Sequence, residues 1–385
     1  MKKIRVKKIK LIFVIALLVS VVGIYSLIKP KTTDVDFLFQ NPTTTATVIL
    51  VGDIMLDRGV EAEMENNGDW KWPFLEITDE LKKADIVFGN LEGPISDMGT
   101  KVGSIYSFRA DPKTIEGLTF AGFDILSVAN NHALDYGRDA LEDTFLRLRQ
   151  ANIDYVGGGN TLAEADSPIS KEVDGTKIAF LAYTNLCSES WNATEKNSGI
   201  NCIAEDDLET VKQKIRDTKN NADVLIVSLH SGGEYTQTLT ALQTDFARSA
   251  IDAGADMVVE GHSHVVQKNE AYKDKYIFYS LGNFVFDQNF SEETMQGQML
   301  KILIENKKIK EIIPIKIDIN TDFQPEIAPA KKPFKLTQPS LPQIYLSASK
   351  LAQGDTLVIR VDNGTNTGKI SATFGTTKID FFKSG

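Results

Sequence analysis

The four histidines of this 385-residue chain all lie just after apolar, β-branched runs, next to small or polar residues. They occur in SVANNHALDYG, IVSLHSGGEY and VVEGHSHVVQ, as His132, His230, and the pair His262 and His264. Imidazole is the commonest metal ligand and exchanges protons near neutral pH. Because successive side chains of a strand alternate, we expect the two rings of the His-x-His pair to point to one face. Four histidines in one kind of context favour a metal site over four separate structural roles.

Carboxylate and amide side chains end neighbouring apolar runs in the same way. They are Asp53 in VGDIMLDR, Asn90 and Glu92 in GNLEG, and Asn131 beside His132. Adjacent glycines permit the close backbone approach that a crowded centre requires. Carboxylate, imidazole and amide-oxygen ligands together suit Mn²⁺, Fe or Zn²⁺ rather than Ca²⁺.

The elements that carry these residues alternate between strands and helices. Apolar runs such as TVILVGD, DIVFGNLE and DVLIVSLH alternate with amphipathic segments such as DALEDTFLRLRQAN and LTALQTDFARSAIDAG. Strands that are apolar at nearly every position are buried on both faces, and strand–helix alternation predicts an α/β domain. Since the carboxyl ends of strands form the ligand crevice of such sheets, we expect the polar residues to meet at one edge.

The charge of the chain argues against one class of partner. The formal net charge is -10, but residues 1–31 carry eight Lys or Arg and no acidic residue. The remainder holds 34 basic against 52 acidic residues, a net charge of -18. Such a body repels DNA and RNA, so we predict no nucleic-acid partner.

The N-terminus is typical of a membrane anchor. A basic tail, residues 1–10, precedes 18 uncharged residues, Leu11–Ile28, which as a helix would span about 27 Å, close to the hydrocarbon thickness of a bilayer. The cations before this segment predict a cytoplasmic N-terminus. We expect an uncleaved signal anchor, with a cleaved signal peptide as the alternative. The prediction is a single-pass protein of the cell membrane with an extracytoplasmic body.

The two cysteines, Cys187 and Cys202, lie in one polar loop. In an oxidising compartment, a disulfide between them would stabilise the fold by roughly 3 kcal/mol on the chain-entropy model. Two unpaired structural thiols are the alternative.

The remaining segments divide the chain. Residues 29–45 read as a polar tether, 46–318 as the α/β domain, and 319–344 as a proline-rich linker. In residues 345–385, apolar and polar residues alternate as in β-strands, with Gly and Asn at the turns. This pattern predicts a small β module of three or four strands. Because it is small for an independent sandwich, this module is either incomplete or in need of a partner.

As a set, the polar blocks resemble those of a known family. In order, GDIMLDR, NLEGPIS, SVANNHALDYG, HSGGEY, GHSHVVQ and SLGNFVFD resemble the signature blocks of the CapA/PgsA poly-γ-glutamate capsule-synthesis proteins. That family is similar to the calcineurin-like metallophosphoesterases. The resemblance covers roughly residues 46–318 and implies a four-layer α/β/β/α sandwich with a metal centre at the strand ends.

The resemblance also implies roles for individual residues. The implied metal ligands are Asp53, Asn90, Glu92, Asn131, His230, His262 and His264. Asn90 or Glu92 would take the bridging position, and His132 would be the general acid. Two departures stand out: Met55 replaces a histidine ligand of the phosphoesterases, and Asn90 replaces an aspartate. The centre therefore holds either one ion, or two ions bridged by Glu92.

Further residues near these blocks are candidates for substrate contacts, and each has an ordinary structural alternative. They are Arg58, Arg109, Glu234, Asn283 and Asp287. Arg109 is the candidate catalytic clamp, because Arg grips carboxylate or phosphate bidentately. Either arginine would otherwise form a surface ion pair. Glu234 could orient His230, whereas Asn283 and Asp287 form either a substrate-side rim or turn caps.

The sequence therefore predicts a membrane-anchored capsule or cell-envelope biogenesis protein of the poly-γ-glutamate type, with a metal-dependent hydrolase-like site. Its substrate would be an anionic polymer or a phosphoester. One alternative is a non-catalytic scaffold that binds metal or polymer and assists a membrane synthase or exporter. Another is an extracytoplasmic phosphatase that acts on a small phosphoester.

Overall fold

The computed structural model describes residues 44–102, 106–204 and 207–328, and the backbone of four short strands between 343 and 379. The basic tail, the predicted membrane segment and the tether up to residue 43 lie outside the described residues. Within the described residues, no helix has the length and apolar character needed to cross a membrane.

The described elements alternate between strands and helices, as the sequence predicts. The strands of the main body are β1 (Thr45–Ile54), β2 (Ile86–Leu91), β3 (Ile125–Ser127), β4 (Asp154–Val156), β5 (Gly158–Gly159), β6 (Ile169–Val173), β7 (Thr176–Thr184), β8 (Gly199–Ile200), β9 (Val224–His230), β10 (Met257–Gly261), β11 (Asn269–Tyr272), β12 (Lys275–Phe278), β13 (Asn283–Val285), β14 (Gln296–Glu305), β15 (Lys308–Ile319) and β16 (Pro325–Ile327). The α-helices are α1 (Arg58–Asn67), α2 (Thr78–Leu81), α3 (Ile115–Ala121), α4 (Gly137–Gln150), α5 (Leu162–Ala165), α6 (Leu208–Lys219) and α7 (Ala241–Ala253).

Two mixed sheets form the centre of the described body. The first has the strand order β16-β15-β14-β1-β2-β3-β4, with β13 paired to β1. The second has the order β11-β12-β10-β9-β7-β6. In each sheet the central strands run parallel: β1 to β4 in the first, and β7, β9, β10 and β12 in the second. Parallel central strands point their carboxyl ends the same way, which is what a shared site requires.

Three apolar clusters order these elements into four layers. One cluster lies between the sheets, where Phe88 of β2 stacks on Phe180 of β7 with ring centroids 5.3 Å apart. A second joins the first sheet to helices such as α4, through Leu141 and Phe145. The third joins the second sheet to α6 and α7. The body is therefore helix, sheet, sheet, helix, and strands such as β9 are buried at every residue because both faces are covered.

The first sheet extends further along the chain than the sequence indicates. β16 pairs antiparallel with β15, although its residues fall in the predicted linker 319–344. Pro325 is tolerated there because β16 is an edge strand. Beyond it, β17 (Gln343–Leu346) pairs with β18 (Ile359–Asp362), and β19 (Ala372–Phe374) pairs with β20 (Thr377–Ile379).

Replacing Phe180 with Ala should destabilise the fold by about 3–5 kcal/mol, because it leaves a cavity between the two sheets. Urea unfolding of the soluble body, followed by circular dichroism, would measure this. Leu146→Ala is the control, since Leu146 is 47% exposed on α4 and its loss should change stability by less than about 0.5 kcal/mol. Equal effects of the two substitutions would contradict the assigned inter-sheet core.

Candidate functional site

The carboxyl ends of strands from both sheets meet at one edge of the body. In the first sheet, Asp53 of β1 lies in register with Asn90 of β2 on one side and with Asn283 of β13 on the other. In the second sheet, His230 ends β9 and pairs with Gly261, which ends β10. The packing of the two sheets thus brings together residues that are far apart in the sequence.

A first donor group consists of Asp53, Glu92 and His230. Each offers one ligand atom, and the three atoms lie within 4.8 Å of one another. Asp53 Oδ1 lies 3.8 Å from His230 Nδ1. All three side chains are buried, so the group lies at the floor of the site.

A second donor group consists of Glu234, His262 and His264, with the same mutual spacing of ligand atoms. The structure therefore places Glu234 with these two histidines, whereas the sequence suggested that it orients His230. His264 connects the groups, because its Nδ1 lies 3.6 Å from Asp53 Oδ2 and its Nε2 lies 3.8 Å from a Glu92 oxygen. The two groups form one continuous site.

Glu92 and His262 carry buried polar atoms that have no hydrogen-bond partner within the described part of the chain. These atoms are both carboxylate oxygens of Glu92 and Nδ1 of His262. Burying an ionisable group without a partner is costly. A divalent cation among the donor groups would satisfy these atoms, and their chemistry suits Mn²⁺, Fe or Zn²⁺. The residues present therefore fit such an ion.

Burial shifts the pKa values of Asp53, Glu92, His262 and His264 toward the neutral forms of these groups. It raises the pKa of Asp53 to about 6, although a hydrogen bond from Asn90 opposes the shift. Burial and then the charge of Asp53 hold the pKa of Glu92 well above its ordinary value. Burial lowers the pKa of His262 to about 4 and that of His264 to about 3. As the pH falls through about 6, Asp53 thus takes up a proton while these imidazoles are still neutral.

His262 and His264 follow β10 instead of lying on it, and both have left-handed backbones, with φ of 91° and 57°. The sequence predicted that both rings lie on one face of a strand. The structure instead brings them together through a turn after the strand. The turn is fixed by the His262 N–H, which donates to Asp53 Oδ2 at 3.1 Å. Gly261 is required at its start, because a Cβ there would lie 2.7 Å from Asp53 Oδ1.

Asn90 faces the first donor group with its amide nitrogen. Its Nδ2 donates to Asp53 Oδ1 at 2.9 Å and lies 3.2 Å from His230 Nδ1. Its oxygen accepts a hydrogen bond from Asn130 Nδ2. In this orientation Asn90 positions two donors and supplies no oxygen ligand, which leaves the bridging position to Glu92.

Two further asparagines lie against the histidines. Asn131 Oδ1 is 2.8 Å from His230 Nε2, and Asn131 also faces the open cavity. Asn283 Oδ1 is 3.0 Å from His264 Nδ1. Because Asn283 is 1% exposed behind His264, it orients that ring and does not form the predicted substrate-side rim.

His132 lies beside the donor groups and has its own carboxylate partner, Asp135, which the sequence interpretation missed. His132 Nδ1 is 2.7 Å from Asp135 Oδ2, and its Nε2 points toward Glu92, 3.7 Å from the nearer oxygen. The Phe108 ring lies 4.1 Å from the imidazole, centroid to centroid. The spacing of three residues in NNHALDYG was the available signal for Asp135, whereas nothing in the sequence pointed to Phe108.

A cavity of about 520 Å³ opens onto the site. Its lining comprises Arg58, Tyr106, Phe108, Asn131, His132, Glu234, Tyr235, His264, Asp287, Gln288 and Phe290. Three candidate substrate contacts, Arg58, Glu234 and Asp287, thus face this cavity. Arg58 and Asp287 form an ion pair with each other.

Arg109 is not brought to this cavity. Its guanidinium donates to the backbone oxygens of Met98 and Gly99 and lies over the Tyr136 ring at 4.2 Å. Its backbone N–H donates to Asp57 Oδ2. Arg109 therefore holds the loop before α3 together, and Arg58 is the arginine that lines the cavity.

A disulfide joins Cys187 to Cys202 in the loop region that follows β7. At the start of this region, the Thr184 hydroxyl donates to the carbonyl oxygen of His230 at 2.8 Å. The same residue exchanges backbone hydrogen bonds with Asn201 and Ile203. The loop closed by the disulfide thus contacts Thr184 through Asn201, and Thr184 in turn supports the backbone of a site histidine.

Comparison with known proteins agrees with this arrangement. The family model described as Bacterial capsule synthesis protein PGA_cap matches residues 47–288, which include every residue of both donor groups. The chain belongs to this family. A relative from Bacillus anthracis, the "Capsule biosynthesis protein CapA", is 31% identical to this chain over 322 residues. The match covers 82% of this chain and 78% of the relative.

A second relative, the "PGA biosynthesis protein CapA" of Bacillus subtilis, is 35% identical over 245 residues and covers 63% of each chain. Among solved structures, a putative 5'-nucleotidase from Staphylococcus aureus is 14% identical with a TM-score of 0.42, covering 77% of this chain and 54% of that one. That structural overlap is too weak to carry an argument, so the family assignment rests on the sequence matches.

Uptake of Mn²⁺ or Zn²⁺ should weaken as the pH falls below about 6, because protons then compete for Asp53. The raised pKa of Glu92 acts in the same direction. Calorimetric titration in buffers of different ionisation enthalpy should show protons released on binding. In metal-free protein, NMR should find His262 and His264 neutral down to about pH 5. Titration of these rings near pH 6.5 would contradict the assignment of the competing protons to the carboxyl groups.

Proposed function

We propose that this PGA_cap chain is a membrane-anchored, extracytoplasmic protein of capsule or cell-envelope biogenesis with a metal-dependent hydrolytic site. The observation that carries the proposal is the buried carboxyl group of Glu92, which has no hydrogen-bond partner among the described residues and lies within the first group of metal donors. The four-layer body, with ligands at the carboxyl ends of its strands, supports a relation to the metallophosphoesterases.

The candidate ion is Mn²⁺, Fe or Zn²⁺. Asp53, Glu92 and His230 would hold one ion, and Glu234, His262 and His264 would hold a second where two are bound. A divalent ion in such a site supplies Lewis-acid activation of water and of the phosphoryl or carbonyl group under attack. Asn90, Asn131 and Asn283 keep the donors oriented through the hydrogen bonds described above.

His132 is the proton carrier of the proposed reaction. Asp135 accepts the hydrogen bond from Nδ1 and so fixes the tautomer and the ring orientation. Nε2 is then the nitrogen that faces the centre, where it can deliver a proton to the leaving group. Phe108 packs against the ring and shields the pair from water on one side.

The names of the relatives bear on the substrate. The Bacillus anthracis relative is a capsule biosynthesis protein and the Bacillus subtilis relative is a PGA biosynthesis protein. We extend this to a γ-glutamyl polymer whose chain end is cleaved or transferred, with a small phosphoester as the second substrate class. A partner membrane synthase or exporter belongs to the same proposal.

A scaffold that binds metal or polymer without turnover is the competing function. It is favoured by the departures at Met55, which is packed in the apolar core, and at Asn90, which faces the donors with its amide nitrogen. Both reduce the number of ligands available for a second ion. Substitution of His132 distinguishes the enzyme from the scaffold, because only the enzyme needs this side chain for proton transfer.

His132→Ala should retain metal and lose turnover by about 10²–10⁴-fold, the usual contribution of a general acid. His262→Ala should lose metal and turnover together, because a ligand is removed. Elemental analysis and hydrolysis of a generic phosphoester and of short γ-glutamyl peptides by residues 32–385 would measure both properties. Asp135→Asn is the matched variant, since it keeps His132 but removes the carboxylate that fixes its tautomer.

Two outcomes would count against the enzyme. Unchanged turnover and full polymer production in cells with His132→Ala, with metal retained, would favour the scaffold. Fewer than about 0.2 ions per chain in wild-type protein after purification with added metal would contradict the metal site itself, since a buried site of this kind should fill.

The proposed location is the outer face of the cell membrane, with the body tethered by residues 11–28. Protease added to intact cells should digest the body and spare the basic tail, because cations before the span retain the N-terminus inside. A reporter fused after Gly385 supplies the second measurement. Reporter activity confined to the cytoplasm would contradict this orientation.

A further inference from the structure

Arg58 is the one Lys or Arg side chain among the described residues that line the cavity. The other charged residues of the lining are acidic, Glu234 and Asp287, and the carboxylates of Asp53 and Glu92 lie buried beneath. Apart from the proposed metal centre, an anionic substrate entering this cavity therefore meets one positively charged side chain among the described lining residues.

The Arg58 guanidinium is held in a defined place. Its central carbon lies 4.6 Å from the Phe108 ring centroid and 5.7 Å from that of Phe286. The backbone of Arg58 is left-handed, with φ of 55°, a conformation that few non-glycine residues adopt. The Asp57 side chain accepts a hydrogen bond from the Arg58 N–H and holds this turn at the start of α1. Stacked and fixed in this way, a guanidinium is suited to planar recognition of a carboxylate or phosphate.

Asp287 occupies part of this anion-binding position in the free protein. One of its oxygens accepts a hydrogen bond from the Arg58 guanidinium, and the other accepts one from the Gly59 N–H at 2.9 Å. The Arg58 side chain is still 35% exposed, against 13% for Asp287. Since a guanidinium has five N–H donors, Arg58 can engage a second anion while Asp287 stays in place or moves aside.

We propose that Arg58 binds one anionic group of the substrate, a carboxylate or a phosphate, and that Asp287 competes for this position when the site is empty of substrate. The inference rests on the proposed function of the metal centre. It adds that Arg58 recognises an anionic group of the substrate next to that centre. Because this one cationic side chain is surrounded by acids, the lining offers one anion-binding position beside the proposed metal centre and not a row of them. For a γ-glutamyl polymer, this means that one α-carboxylate is bound there and that further carboxylates of the chain add no affinity.

Binding of two probes to the full chain in detergent tests the proposal by calorimetry. The probes are inorganic phosphate and the dipeptide γ-glutamyl-glutamate, which separate a phosphate from a carboxylate ligand. Arg58→Ala should weaken binding of the preferred probe by about 10- to 100-fold, as expected for a lost charge-assisted hydrogen bond. The affinity of Arg58→Lys should lie between those of the wild type and Arg58→Ala, because lysine keeps the charge but lacks the planar guanidinium. Asp287→Asn should strengthen binding, since the competing charge is removed.

Arg248→Ala is the matched control. Arg248 also pairs with one carboxylate, Glu270, and also lies over an aromatic ring, that of Tyr272 at 5.7 Å, but it is not among the residues that line the cavity. Its loss should leave binding of both probes and the metal content unchanged. Circular dichroism and metal content should match the wild type in all four variants.

Three results would overturn the inference. The first is that Arg58→Ala retains its metal and binds both probes with wild-type affinity. The second is that Asp287→Asn gains no affinity. The third is that a γ-glutamyl decamer binds more than about tenfold tighter than the dipeptide. If Arg58→Ala fails to fold, the Arg58→Lys and Asp287→Asn variants decide the question. Loss of the proposed metal site is read separately, because it appears as low metal content in the wild-type chain.

Discussion

The site depends on one electrostatic constraint, the burial of the Glu92 carboxyl group beside Asp53 with no hydrogen-bond partner within the described residues. Two neighbouring acids in a low-dielectric setting repel each other when ionised, and burial alone disfavours either charge. The protein tolerates this arrangement because imidazole nitrogens and asparagine amides surround it. The same features fit a divalent cation, which would satisfy the Glu92 oxygens that the described residues leave without a hydrogen-bond partner.

The rest of the fold holds that arrangement in place. Asp53 and Glu92 come from the first sheet, whereas His230 and the His262–His264 turn come from the second. The apolar cluster between the sheets fixes their separation, so a shift of one sheet against the other would pull the donors apart. The candidate ligands lie at or just after the ends of rigid strands, and the left-handed backbone of His262 and His264 orients these two rings.

Two further pairs lie beside the donor groups. His132 with Asp135 is the proposed proton-handling pair, and Arg58 with Asp287 is the proposed anion-binding pair. His132, Arg58 and Asp287 line the same cavity, and in each pair a carboxylate holds a basic side chain in one orientation. Membership of the PGA_cap family places this machinery in proteins of bacterial capsule synthesis, while the chemistry of the cavity is what limits the substrate class.

The sequence by itself determined the α/β alternation, the strand ends on which the polar residues lie, and most of the candidate ligands, because these follow from local periodicity and from residue type. Tertiary structure alone decided which residues meet. It placed Glu234 with His262 and His264, turned the Asn90 nitrogen toward Asp53, and kept Arg109 in its own loop while Arg58 reached the cavity. It also extended the first sheet to β16. Such pairings depend on the packing of two sheets and on turns that are left-handed in non-glycine residues, neither of which has a local signal in the sequence.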